Sequence, residues 1–383
     1  MSHPSRYCRV TSSVPSEGTH PGRLTTYGTP EPAPGTTIYP AGRNEHDSTM
    51  NDSTKNAFDA FDEELNLDGR ERKSAQKRHN EITEHLVNAG LAIATFLQGS
   101  FARKTMLKPL KDVDMVIRMH PSLEKTLRQP GGPAHAMSLI REVIAEKYPD
   151  ALFDVDDAPA HALQVTFAEL DFTFDLVPAL DVEDSEIVYI ADRENDTWEW
   201  SNTRTLNRIT STRNQATGGR FVHQVRMLKS FKKGNPVLDD TCGLLWEAFA
   251  YAAVTGPLEH SQALATTLAH AAQAVTHPVL DPTGVDDLTA EWTIDERNTY
   301  ATTLAATARR AAEARRLEED GQHAAAIEIW HTLIGDPFPQ SESQNATDVL
   351  RALAAGSITS TGRAVVSPRG QQPARPARSW RTR

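Results

Sequence analysis

Apolar residues recur at helical spacing in three stretches of the first half of the chain. Asp52 or Ser53 is expected to cap a first helix, because both side chains accept hydrogen bonds from free N–H groups. The apolar residues of this helix share one face and are Phe58, Phe61 and Leu65. A second helix is predicted over residues 70–88, ended by Gly90, and a third over residues 134–147.

Short apolar runs between these helices predict β-strands. The four runs are LAIATFLQ, VDMVIRM, HALQVTF and LDFTFDLVPAL, and the last strand is expected to stop at Pro178. From about Phe221 onward the apolar spacing becomes helical in five further segments. The pattern therefore predicts an α+β half with a sheet, followed by a helical half, with a cleft between them.

At the two ends of the chain, apolar residues follow neither the helical nor the strand spacing. Residues 1–52 are rich in Pro, Gly, Ser and Thr and are predicted to be disordered, and Met50 is interpreted as a start that makes the preceding residues dispensable. The domain organisation predicted is a catalytic core with N-terminal helices at 53–215, a helical domain at 216–340 and a flexible tail at 341–383. The tail is a candidate site for a regulatory protein.

Composition narrows the class of protein. The 383 residues are 39% hydrophobic, enough for a sizeable core, and 51 acidic against 40 basic residues give a formal charge of −11. This charge argues against an obligate nucleic-acid partner. Cys8 and Cys242 have no ligand-like spacing, so neither a disulfide scaffold nor a zinc finger is predicted. No apolar run is long enough to span a bilayer, and a cytoplasmic protein is expected.

Two aspartates one residue apart begin the second predicted strand. Side chains alternate along a strand, so Asp112 and Asp114 share one face, where their carboxylates repel each other unless a cation lies between them. Mg²⁺ prefers such oxygen ligands, together with substrate phosphates. Asp175 on a later strand can complete a two-metal site, although Asp171 shares its face by parity. We favour Asp175 because the surrounding strand is more continuously apolar.

A Gly-Ser pair precedes these aspartates by eleven residues. Gly99 permits a sharp turn and a close approach to phosphate, and Ser100 offers a hydroxyl and an N–H at the start of a short predicted helix. Arg103 adds positive charge nearby, with Lys104 and Lys108. Lys229, on a later helix, can reach a triphosphate from the opposite wall. The pattern predicts a phosphate cradle that faces a metal site.

The stretch LQGSFARKTMLKPLKDVDMVI at residues 97–117 resembles polymerase-β-type nucleotidyltransferases. It is most similar to the bacterial CD-NTase family, synthases of cyclic oligonucleotides related to cyclic GMP-AMP synthase. FDLVPAL around Asp175, VRMLKSFKK and IWHTLIGDPFP support this resemblance, which spans about residues 55–340. It implies a polymerase-β-like core with a mixed sheet, followed by a helical domain.

The resemblance also implies site residues. Gly99 and Ser100 would bind phosphate, the aspartates would hold two Mg²⁺ ions, for which Mn²⁺ can substitute, and Lys229 would contact the donor triphosphate. Family members often carry a serine four residues before a helical glutamate, whereas Gly243 stands at that position before Glu247. Thr241 is interpreted as a substitute for this serine.

The activity implied is the joining of NTPs, ATP or GTP among them, into a cyclic di- or trinucleotide with release of pyrophosphate. The resemblance places this activity in antiphage signalling of the CBASS type, where the product activates a separate effector. Three other functions share the same motif: a linear oligonucleotide synthase, another nucleotidyltransferase that tails RNA or adenylylates a target, and a catalytically silent nucleotide-binding protein. The sequence alone leaves the bases and ring size open.

Histidines and aromatic residues carry a weaker signal. The histidines considered are dispersed without an HExxH pattern and are interpreted as surface or core residues; they are His79, His85, His223, His270 and His277. Tyr189, Trp198 and Trp200 follow the third aspartate, where a base can stack on a ring, although packing is the favoured interpretation.

Overall fold

The computed structural model describes residues 53–154, 159–183 and 185–341. The predictions for residues 1–52, and for the tail beyond residue 341, lie outside these ranges. Ser53 caps the first helix as expected, because its side chain accepts a hydrogen bond from the Asn56 N–H at 3.1 Å.

The described residues form one mixed sheet, with helices before, between and after its strands along the chain. The strands are β1 Ala92–Leu97, β2 Asp112–Met119, β3 Leu152–Asp154, β4 Leu163–Thr166, β5 Thr173–Asp181, β6 Val188–Asp192 and β7 Thr197–Ser201. The α-helices are α1 Thr54–Leu65, α2 Gly69–Asn88, α3 Gly99–Arg103, α4 Glu124–Leu127, α5 Gly132–Lys147, α6 Thr203–Ala216, α7 Phe221–Gly234, α8 Gly243–Ala253, α9 His260–Ala274, α10 Ile294–Glu319 and α11 His323–Ile334. The predicted α+β half and helical half are therefore confirmed.

The sheet has the order β1-β2-β5-β4-β3, with β6 paired to β5 and β7 paired to β6. Strands β2 and β5 run parallel at its centre, and the other pairs are antiparallel. On the edge of β5 away from β2, β4 pairs with residues 173–176 and β6 with residues 179–181. The sheet therefore splits along this edge, and the split opens a space beside the middle of β5.

The prediction that this strand stops at Pro178 is wrong. Pro178 lies inside β5, opposite Ile117 of β2. Proline lacks an N–H and is tolerated in a strand where no ladder bond needs that donor. Pro178 falls between the residues paired to β4 and those paired to β6, so the strand continues past it.

Two large apolar cores and one small cluster stabilise the described residues; the small cluster includes Val116, Val177 and Ala179. One core lies under the sheet and buries side chains of β2 together with α2 and α5, including Met115, Ile82 and Ile140. The other joins the helices of the second half. Helix α1 packs into this second core, where the Phe58 ring lies 5.2 Å from Trp330 between centroids, although in sequence α1 adjoins the sheet domain.

Several elements were not predicted. Helix α6 was missed because Thr, Ser and Asn, which are weak helix formers, fill it, and only Leu206 and Thr210 are buried. The hairpin of β6 and β7 was also missed, although its β-branched and aromatic residues are typical of strands. Cys242 is disulfide-bonded, which was not predicted. In the described ranges, no helix has the length and apolarity that a membrane crossing requires.

Candidate active site

The register between β2 and β5 brings the predicted carboxylates together. Asp114 lies directly opposite Asp175 in the parallel pairing, and Asp112 lies two residues before Asp114 on the same face. Residues Val113, Met115 and Ile117 face the apolar core on the other side. Asp171 is exposed and precedes the first residue of β5, so the structure separates it from the group.

The three carboxylates repel one another in a partly dry environment. Burial, together with the nearby Asp112 and Asp175 carboxylates, raises the pKa of Asp114 to about 7. Burial also raises the pKa of Asp112 above its usual value. Asp175 is 2% exposed, and its Oδ1 accepts a hydrogen bond from the Gln164 amide at 2.9 Å. Clustered carboxylate oxygens of this kind are the donor set that a divalent cation such as Mg²⁺ takes.

Gly99 makes room for one of these carboxylates. Its φ is +68°, in the left-handed region, and a Cβ there would lie 1.8 Å from Asp114 Oδ2. The neighbouring Gln98 N–H donates to the Asp114 carbonyl at 3.0 Å, which holds the turn against β2. The glycine of the Gly-Ser motif therefore shapes the carboxylate group as well as the loop.

We expect Gly99→Ala to displace the Asp114 side chain and to lower nucleotidyl transfer at least tenfold, whereas Gly90→Ala should not. Both glycines have positive φ, so both substitutions should cost about 1 to 2 kcal/mol of folding stability. Nothing lies within 4 Å of a Cβ at Gly90. Pyrophosphate release and thermal unfolding of the two variants separate these effects; equal activity in both would contradict the role of Gly99.

A basic groove of about 480 Å³ adjoins the carboxylates on one side. It is lined by Ser100, by Asp112 and by five lysines, which are Lys108, Lys111, Lys229, Lys232 and Lys233. Asp239 and Asp240 also line it. Lys232 and Lys233 were not predicted as groove residues, although their spacing of three and four residues from Lys229 on α7 puts all three on one helix face. The charge and size of the groove suit a triphosphate.

Lys229 lines this groove but is held by a buried ion cluster, formed with Arg103, Glu247 and Thr105. Its Nζ lies 2.6 Å from Glu247 Oε1 and 3.2 Å from the Thr105 hydroxyl. Arg103 does not line the groove, because its guanidinium donates to both Glu247 oxygens at 2.7 and 3.2 Å. Burial alone would raise the pKa of Glu247, but Arg103 and Lys229 lower it to about 2. The cluster links α3 to α7 and α8.

Thr241 is not brought to the groove. It is buried, its hydroxyl donates to the Leu238 carbonyl at 2.6 Å, and the same oxygen accepts from Trp246 Nε1 at 2.9 Å. Gly243 lines the groove instead, and a Cβ there would lie 3.4 Å from Lys229 Cε. The hydroxyl of Thr241 therefore fixes the turn before α8. This role was not predicted, because it depends on the contact with Trp246 in the folded protein.

A second cavity, of about 200 Å³, lies on the other side of the carboxylates, beside the split edge of β5. We name it the Trp200 pocket; its lining includes Asp114, Asp175, Gln98, His161, Val177, Glu199, Trp200, Asn202, Thr203, Asp281 and Asp286. Of the three aromatic residues considered from the sequence, Trp200 lines this pocket. Trp198 packs against the core and donates from Nε1 to the Leu127 carbonyl at 2.9 Å, and Tyr189 also packs there.

One group of side chains near the pocket was missed in the sequence. His161, Asp192 and Glu199 each place a ligand atom within 4.8 Å of the others. The Nδ1 of His161 lies 2.9 Å from the Ala191 carbonyl, and its Nε2 lies 4.0 Å from Glu199. Pairing of β6 with β7 brings Asp192 near Glu199, and His161 joins them through its contact with the Ala191 carbonyl, 30 residues away in sequence.

The sheet, the paired carboxylates and the two flanking cavities define a nucleotidyltransferase of the polymerase-β type. Residues 52–214 match the family model described as Second Messenger Oligonucleotide or Dinucleotide Synthetase domain. These residues therefore carry a domain of the CD-NTase type, and the resemblance found in the sequence is confirmed. No curated protein matches the chain.

Solved structures agree with this fold at low sequence identity. CdnC of Escherichia coli MS115-1, in a complex with HORMA-deltaN, matches with a TM-score of 0.61 and 14% identity, over 76% of this chain and 100% of that chain. The CD-NTase CdnG of Bradyrhizobium diazoefficiens, in complex with GTP, gives 0.55 and 12%, over 73% and 98%. A STING-associated CdnE c-di-GMP synthase of Capnocytophaga granulosa gives 0.53 and 15%, over 68% and 85%.

Proposed function

We propose that the protein joins NTPs into a cyclic di- or trinucleotide and releases pyrophosphate. The observation that carries this proposal is the position of the carboxylates. Asp112 lines the basic groove, whereas Asp114 and Asp175 line the Trp200 pocket. A nucleotide whose phosphates lie in the groove therefore has its α-phosphate beside the carboxylates, close to a second cavity that can accept a nucleoside.

The reaction is an attack by a ribose hydroxyl oxygen of one nucleotide on the α-phosphorus of another. A new P–O bond forms, the bond between the α-phosphorus and the bridging oxygen breaks, and pyrophosphate leaves while the hydroxyl loses its proton. The lysines of the groove hold the triphosphate and neutralise the leaving group, and Ser100 orients it. Asp112, Asp114 and Asp175 would hold two Mg²⁺ ions, which supply charge neutralisation and activate the hydroxyl.

For Lys229 we propose a role at the edge of the triphosphate, and for Arg103 a positioning role through Glu247. The buried ion cluster fixes Lys229 against α3, so that its ammonium stays beside Ser100 and the groove. Arg103 reaches the same glutamate from α3 itself. The cluster thereby keeps the turn at Gly99 aligned with the wall formed by α7.

The biological setting that we propose is antiphage signalling, in which the cyclic product activates a separate effector. The match of residues 52–214 to a domain of second-messenger synthetases supports the product class. Among solved structures of the same fold, CdnG was determined with GTP, CdnE is described as a c-di-GMP synthase, and CdnC was determined with a HORMA protein. By analogy we propose a regulatory protein partner for this chain as well, with its C-terminal tail as the candidate contact.

The test is incubation of the purified protein with α-labelled ATP, GTP, CTP and UTP, singly and mixed, with Mg²⁺ or Mn²⁺. We expect a product that resists phosphatase and that mass spectrometry shows to lack a terminal phosphate. Phosphatase-sensitive chains would instead establish a linear synthase. Absence of any product in every mixture, with and without a candidate regulatory protein, would contradict nucleotide joining.

A further inference from the structure

Hydrogen-bond acceptors predominate among the unpartnered polar atoms in the Trp200 pocket. Within the described residues, Gln98 Oε1, Asn202 Oδ1 and Thr203 Oγ1 are buried from solvent and have no hydrogen-bond partner. All three residues line the cavity. The two amide oxygens can only accept hydrogen bonds, and a hydroxyl can accept or donate. Buried acceptors without partners are costly, and these three give the wall behind the pocket an acceptor character.

Carboxylates from two separate elements also line the pocket. Glu199 comes from β7 on the sheet side, and Asp286 comes from the loop between α9 and α10. The side chain of Asp281 organises that loop, accepting hydrogen bonds from Thr283, Val285 and Asp286 N–H groups at 3.0 to 3.2 Å. The carboxylate of Asp286 itself forms no hydrogen bond or ion pair with the other described residues, and it is half-buried.

The electrostatics confirm that these acids are close together. Burial, together with the Asp281 and Glu199 carboxylates, raises the pKa of Asp286 to about 6. Of the described lining residues only His161 can carry positive charge, and its ring lies against the Ala191 carbonyl and Glu199. The pocket therefore offers negative and acceptor groups to whatever base enters it.

The four nucleobases differ in the hydrogen-bond donors and acceptors that they present to such carboxylates. Guanine presents an N1–H and an N2 amino group side by side, three N–H donors on one edge, which match carboxylate acceptors. Adenine places its N1 acceptor beside its amino group, cytosine places N3 and O2 beside its amino group, and uracil flanks its single N–H with two carbonyls. Acceptors of these three bases would face carboxylates, and an unpaired buried polar group is a strong basis for rejection.

We propose that the Trp200 pocket selects guanine in one of the nucleotide substrates, with Glu199 and Asp286 as specificity-determining residues that accept its N–H groups. This inference rests on the proposed function, since it names the base that the same site reads. Trp200 also lines the cavity, and an indole ring can stack on a base. The loop that carries Asp286 also lines the pocket, so a bound base would contact both the sheet and the helical half.

The experiment measures binding without turnover. The α,β-methylene analogues of GTP and ATP, which cannot be cleaved at the reacting bond, are titrated into the full chain with Mg²⁺ by calorimetry. The wild-type protein should bind the guanosine analogue at least about tenfold more tightly. Glu199→Gln and Asp286→Asn should each reduce this preference below about threefold and leave the adenosine affinity unchanged. Glu194→Gln, on the exposed turn of the same hairpin, is the matched control and should keep the full preference.

Each alternative outcome has a distinct meaning. Equal affinities for the two analogues, or a guanine preference that survives in both variants, would overturn the inference and leave the proposed function standing. Binding of neither analogue to the wild-type protein would instead overturn the proposed function. Thermal unfolding of each variant verifies its fold, and because Glu199 and Asp286 lie on different elements, failure of one variant to fold leaves the other as the test.

Discussion

The double variant Asp112→Ala/Asp114→Ala is expected to release pyrophosphate at least about 10³-fold more slowly than the wild-type protein, because metal-assisted charge neutralisation contributes several kcal/mol to such reactions. Its fold should persist. Burial, together with the Asp112 and Asp175 carboxylates, raises the pKa of Asp114, so the folded protein disfavours the charged form of this group. We therefore expect the variant to unfold at the same or a higher temperature than the wild-type protein in metal-free buffer.

Pyrophosphate release with a mixture of four NTPs measures the first effect, and calorimetric unfolding with and without Mg²⁺ measures the second. Asp171→Asn is the matched control, since this exposed aspartate lies just before β5 and outside the carboxylate group. Asp175→Asn should behave like the double variant. Undiminished turnover after loss of Asp112 and Asp114 would contradict the mechanism. A large loss of activity in Asp171→Asn would show that Asp175 is the wrong choice for the third carboxylate.

The carboxylate group could be predicted from sequence because its geometry is local. Strand alternation alone puts Asp112 and Asp114 on one face, and a strand that is apolar around Asp175 places this residue in the same sheet. The glycine before Ser100 was also visible as a turn. What strand alternation does not give is the register between β2 and β5, which sets Asp114 opposite Asp175 and which depends on how the whole sheet assembles.

The contacts of Arg103 and Thr241 could not be predicted for a different reason. The residue that binds Arg103 is Glu247, which lies 144 positions away in sequence, and no spacing signals a partner at that distance. Because Arg103 is a cation near a phosphate motif, a nucleotide contact was predicted for it. In the structure its side chain is buried and binds the Glu247 carboxylate instead. The acceptors of the Trp200 pocket were hidden likewise, since β7 and the loop after α9 supply them from opposite halves.

Glu247→Gln is expected to lower the free energy of unfolding at neutral pH by about 3 to 5 kcal/mol, because it leaves two buried cations without their counter-charge. Arg103 and Lys229 are both about nine-tenths buried, and Glu247 is their shared partner. Their positions should also loosen, so that the groove beside Lys229 binds triphosphate less well. Chemical denaturation measures the stability. Glu313→Gln, which breaks an exposed ion pair with Arg310, is the control and should cost no more than about 1 kcal/mol.

The difference in unfolding free energy between the wild-type protein and Glu247→Gln depends on pH, and this dependence distinguishes lost charge from lost packing. The pKa of Glu247 is lowered to about 2 in the folded protein from an ordinary value of 4.5, so its contribution to stability is fully present above about pH 5. That contribution is lost as the pH falls toward 2, and the gap between wild type and Glu247→Gln should narrow over the same range. Adding Lys229→Met to Glu247→Gln removes one unpaired cation and should restore part of the stability at pH 7. A gap that stays constant with pH would show that Glu247 acts through shape and hydrogen bonding, not through its charge.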